Sequence, residues 1–112
     1  MSSTDTPRPL KQAAVQILAA LAEGDSHGYG VMVRIRERTN GAVDLRTGSF
    51  YRHLSRLIDD GLVNVLDRRK DGDDPRRGDY YRLSAKGKLE LAAERRRLAD
   101  LLATLRPRRG RA

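Results

Sequence analysis

The 112-residue sequence predicts a mainly α domain with one small β-hairpin, an α+β fold, and three observations carry that expectation. Apolar residues recur at three- and four-residue spacing in three successive segments up to Gly61. The period then changes to two on either side of a loop rich in turn residues. Beyond it, leucines seven residues apart mark one longer helix.

Residues 1–8 contain Ser2, Ser3 and Thr4 but no apolar stretch. They read as a flexible N-terminal arm and not as a signal peptide. Pro9 suits the first position of a helix. Ala13, Ala14, Ile17, Leu18, Leu21 and Ala22 then form an apolar stripe, closed by Gly24. Ser26 is the expected cap of a second helix through Val31 and Ile35, ending near Asn40-Gly41. Gly28 and Gly30 weaken its first turn. Val43 and Leu45 suit a very short strand. Thr47 is the expected cap of a third helix, with Phe50, Leu54, Leu57 and Ile58 on one face. Ser49, Arg52, His53 and Arg56 lie on the other.

Residues 62–68 and 79–83 read as two strands, joined by a charged, turn-rich loop over 70–78. Ser84 is the expected cap of the last helix. Leu91, Leu98 and Leu105 are seven apart, and Leu101 and Leu102 fill the same stripe, so these five are the expected dimer seam. Pro107 stops the helix. The order helix, helix, helix, hairpin, helix is that of a winged helix-turn-helix with a C-terminal dimerisation helix. The expected organisation is an arm over 1–8, the winged unit over 9–83, the dimerisation helix over 84–106 and a basic tail over 107–112.

Composition narrows the function class. The net charge of +8 favours a polyanionic partner, nucleic acid before an anionic membrane surface. Solvated arginines with no such partner are the alternative. No cysteine is present, which removes disulfides, thiolate nucleophiles and cysteine metal sites and is compatible with a reducing cytoplasm. No apolar run has the length of a membrane span.

Several blocks then carry a family resemblance: Ile17-Leu18-Ala19-Ala20-Leu21, His27-Gly28-Tyr29-Gly30, residues 47–57 from Thr47 to Leu57, Asp60-Gly61-Leu62-Val63, and residues 81–87 from Tyr81 to Gly87. In this order and spacing the sequence resembles the PadR family of bacterial transcription regulators, from about Ile17 to Leu98. The resemblance implies a homodimer held by the C-terminal helix. It further implies binding to an inverted-repeat operator, usually as a repressor. Some relatives respond to phenolic acids or planar drugs. Here the lack of tryptophan and an aromatic content of 4% argue against a stacking pocket.

The expected contacts with double-stranded DNA centre on the third helix. Arg52 and Arg56 are helical neighbours, and arginine reads guanine O6 and N7 in a bidentate manner. Arg46, Thr47 and Ser49 lie at the helix start, where phosphates or a base edge are within reach. The resemblance suggests that Tyr51 packs inward and presents its hydroxyl to a phosphate; a purely packing role is the alternative. His27 and Tyr29 stand at the start of the second helix, another place to hold a phosphate. His53 is a base reader or a plain surface residue. Arg68, Arg69, Lys70, Arg76 and Arg77, on or beside the hairpin loop, suit the backbone or a minor groove, although nearby acids nearly balance them.

Other chemistry finds little support. His27 and His53 make no ligand pattern with nearby acids. Asp71, Asp73 and Asp74 hint at a calcium loop, but Arg76 and Arg82 stand where such a loop needs glycine and a bidentate glutamate. No nucleophile–base spacing or phosphate loop is present, so neither an enzyme nor a cofactor is expected. An effector, small molecule or protein, is left open. The competing readings are a nucleic-acid binder without sequence preference and a protein-interaction adapter.

Overall fold

The computed structural model describes residues 11–66 and 79–107. In chain order they form α1 (Gln12–Ala22), β1 (Ser26–His27), α2 (Gly28–Arg38), α3 (Thr47–Asp59), β2 (Val63–Leu66), β3 (Tyr80–Leu83) and α4 (Ala85–Leu105). The fold is α+β, as the sequence predicts, with a three-stranded antiparallel sheet ordered β1-β3-β2.

Each of the first three helices turns its apolar stripe to one core. Ile17 and Leu18 of α1, Val31 and Ile35 of α2, and Phe50 and Leu54 of α3 are almost fully buried. Leu62, Val63 and Leu83 close the core from the hairpin. The end of α1 is tied to α2: Arg34 donates to the carbonyls of Ala20 and Gly24 at 2.9 and 2.8 Å. The Ala20 carbonyl also accepts the Glu23 N–H at 3.2 Å, so the guanidinium adds a charged donor to the C-terminal end of α1 and to the Gly24 carbonyl just beyond it. At the far end of α2, Asn40 and Gly41 both take positive φ, 52° and 81°, the left-handed geometry that glycine tolerates best.

Three local expectations are corrected. Ser26 does not cap α2. It is buried in β1, pairs with Tyr81, and its hydroxyl donates to the His27 carbonyl. The cap is His27, whose Nδ1 accepts the Gly30 N–H at 3.0 Å. Thr47 is the first residue of α3, not its cap; Arg46 holds the cap position without a side-chain bond. Val43 and Leu45 form no strand. They pack on the core from a loop anchored by Thr39, whose hydroxyl donates to the Ile35 carbonyl and accepts the Val43 N–H.

The hairpin register sets Val63 opposite Leu83 and Leu66 opposite Tyr80. Ser84 caps α4, as expected, accepting the Gly87 N–H at 2.9 Å. At about 1.5 Å per residue α4 is roughly 30 Å long. It leaves the core part-way along. Leu91 packs against the chain's own core, whereas Leu98, Leu101, Leu102 and Leu105 stay exposed. Between these groups Glu94 is buried and paired with Arg97 at 2.6 Å, which offsets the cost of burying its carboxylate.

Candidate nucleic-acid interface

α3 has two opposed faces. Phe50, Leu54 and Leu57 are buried, and Thr47, Arg52 and Arg56 are exposed, with Ser49 and His53 half-buried at the margin. Ser49, Arg52, His53 and Arg56 are spaced to form one strip along the helix. The Arg56 side chain is 81% exposed, and its ion-pair partner among the described residues is Asp60, at 3.9 Å, one turn on. Such a surface pair holds the arginine weakly. The first turn of α3 has no acidic residue to offset the positive end of the helix. Arg46 at the cap position is exposed, and the space where a Gly48 side chain would stand is open.

A second group lies where α2 begins. The Tyr51 hydroxyl rests against Gly28, and its ring meets Phe50 edge-on at 4.9 Å. Tyr51 therefore both packs and leaves part of its ring exposed. Tyr29 is largely exposed on the first turn of α2. His27 spends Nδ1 on the helix cap and meets Tyr80 edge-on at 5.5 Å. Burial pushes the Tyr81 hydroxyl above the usual tyrosine pKa, helped by Tyr51 and Asp79 nearby. The two groups thus join through Tyr51, on α3 but touching α2.

Arg68, Arg69, Lys70, Arg76 and Arg77 lie outside the described residues. Sequence reasoning missed Arg82, which binds both oxygens of Asp25 at 2.8 to 3.2 Å and stays firmly charged. A period-two strand pattern gives no sign of that partner, 57 residues away. Of the five expected seam leucines, Leu91 has spent much of its surface inside the chain, and the other four share an open stripe. Leu89, which the heptad spacing leaves out, is also exposed. Among the described residues no group of three or more acidic, histidine or cysteine side chains is placed to hold a metal, and no helix is long and apolar enough to cross a membrane.

Residues 17–93 match the family model described as the transcriptional regulator PadR-like family. The chain belongs to the PadR-like family. Its members are transcriptional regulators and not enzymes. Solved structures share the fold. A PadR family transcription regulator from Clostridium difficile R20291 superimposes with a TM-score of 0.73 at 22% identity, covering 85% of this chain and 95% of that one. A transcriptional regulator from Clostridium thermocellum gives 0.68 at 23% identity, covering 84% and 92%. Bacillus subtilis PadR in complex with operator DNA gives 0.62 at 20% identity, covering 91% of this chain and 52% of that one. No curated protein matches the chain. This PadR-like regulator therefore presents its arginine strip on the third helix of a winged helix-turn-helix fold.

Proposed function

We propose that this PadR-like regulator is a homodimeric, sequence-specific DNA-binding repressor, with α3 read into the major groove of an inverted-repeat operator. The observation that carries this reading is the unburdened face of α3, where Arg52 and Arg56 stand in line beside Ser49 and His53. Bidentate arginine contacts to guanine supply discrimination there. Arg46, Thr47, Tyr29, Tyr51 and His27 flank that strip and suit phosphates. The same role is assigned to the cations Arg68, Arg69, Lys70, Arg76 and Arg77, which lie outside the described residues. The structural relative solved with operator DNA supports the assignment.

In this reading residues 9–83 form the DNA-binding unit and 84–106 the dimerisation helix; the expected arm over 1–8 and all but the first residue of the expected tail over 107–112 lie outside the described residues. Leu98, Leu101, Leu102 and Leu105 expose an apolar stripe that a second copy would cover, with the free part of Leu91 at its edge. A two-fold dimer sets the half-site centres about one or two helical turns apart.

The test is titration of Arg52→Ala and Arg56→Ala against a selected operator and a scrambled duplex at several salt concentrations. Loss of a base-reading arginine costs about 1–3 kcal/mol on the operator and little on the scrambled duplex. Equal losses on both would remove α3 as the reader and favour a binder without sequence preference. No binding to any duplex at low salt would favour a protein-interaction adapter.

A further inference from the structure

The end of α1, strand β3 and the first half of α4 line an open groove of about 500 Å³. That volume lies within the range of small-molecule sites. Its apolar walls are aliphatic throughout: Leu21, Leu83 and Leu91, with Ala22 and Ala92 between them. Among the described residues no aromatic side chain lines it, so a flat ring finds no face to stack on, whereas a flexible alkyl chain finds aliphatic contact.

The rim is charged and unbalanced. Among the described residues the rim carries Arg82, Lys88 and Arg95 and one carboxylate, Asp25. Asp25 is already held by Arg82 through both of its oxygens. The positive excess therefore rests with Lys88 and Arg95. These are seven residues apart on α4, so they share a face about 10 Å apart along the helix. Both are exposed, and both have stems long enough to converge on one anion.

We propose that this groove binds an amphipathic aliphatic carboxylate, its chain along Leu21, Leu83 and Leu91 and its head group held by Lys88 and Arg95. Asp25 lies next to β1 and two residues from the histidine that caps α2, so the ligand occupies a wall shared with the DNA-binding unit. The inference concerns binding alone and does not depend on how α3 is used.

The test is calorimetric titration of the full-length protein, without DNA, with decanoate, decan-1-ol and benzoate. Saturable binding of decanoate is expected, with decan-1-ol and benzoate each about tenfold weaker or worse, since one lacks the charge and the other the chain. In a Lys88→Glu/Arg95→Glu double variant decanoate binding drops at least about tenfold. Arg96→Glu, an equally exposed charge reversal on α4, leaves it within about twofold. Thermal unfolding of the double variant checks that it remains folded. No saturable decanoate binding, or equal binding to the wild type and the double variant, would overturn the proposal. If decanoate fails to bind while the double variant changes the sedimentation coefficient, a second copy of the chain covers the groove and the ligand assignment falls.

Discussion

Gly87, in the first turn of α4, lies directly over the main-chain carbonyl of Leu62, so close that a methyl group at Gly87 would overlap it and press on Leu83. Ser84 fixes the same approach from the other side, because its N–H bonds to that carbonyl at 3.0 Å while its hydroxyl caps the helix. Neither neighbour can yield cheaply, since one is backbone and the other is a buried core leucine.

Gly87→Ala is accordingly expected to destabilise the fold by about 1–3 kcal/mol in urea unfolding, despite the better helix propensity of alanine. Gly48→Ala, on α3 with open space around it, is the matched control and should be neutral or slightly stabilising. Equal stabilities for the two variants would refute the close-packing account.

A second prediction concerns alkaline pH. The Tyr81 pKa is raised in the folded chain, chiefly by burial and further by Tyr51 and Asp79. The unfolded chain therefore loses this proton first. The stabilisation linked to a neutral Tyr81 is complete below the unfolded pKa, near 10, and is lost as pH rises through the higher folded value. Tyr81→Phe should flatten the decline of stability above about pH 10, as measured by chemical unfolding at stepped pH. An unchanged alkaline slope would contradict the assignment.

Asp60 gives a third. Its contact with Arg56 is long and exposed, so Asp60→Ala should change stability by less than about 0.5 kcal/mol. Removing the only carboxylate paired with Arg56 among the described residues should nevertheless raise affinity for operator and scrambled duplex alike, most visibly at low salt. Weaker binding by this variant would mean that Asp60 positions Arg56 for DNA and does not merely hold it.

The assembly prediction rests on Leu98. It is half exposed in the single chain, so Leu98→Asp should leave the fold intact while shifting sedimentation from dimer to monomer. A wild-type protein that sediments as a monomer at micromolar concentration would defeat the proposed dimer.

Much of this architecture was legible in the sequence, for identifiable reasons. α3 announces itself because Phe50, Leu54 and Leu57 hold a strict helical stripe opposite polar residues. Two of the three expected caps lie one residue from where side-chain chemistry alone places them, because a cap depends on what the neighbouring backbone is doing. Ser26 has the right side chain, but its main chain is committed to β3, so His27 inherits the position. β1 has only two residues, too few to show a period. The leucines of α4 look alike in sequence, yet only where the helix crosses the core does one of them, Leu91, become partly buried. The groove was invisible, since Leu21, Leu83 and Leu91 come from three elements that only tertiary packing brings together.

The placement of β3 in the middle of the sheet has a further consequence. A lone hairpin offers unpaired main-chain groups along both outer edges, and either can recruit a strand from another molecule. Here Ser26 and His27 cover part of one side of β3, leaving β2, four residues long, as the other outer strand. Among the described residues β2 offers only a four-residue template, with Val65 exposed on it, and so short an edge makes strand-to-strand polymerisation a weak competitor. By spending two residues of a loop as a selvage along β3, the chain steers its copies away from open-ended stacking through the sheet.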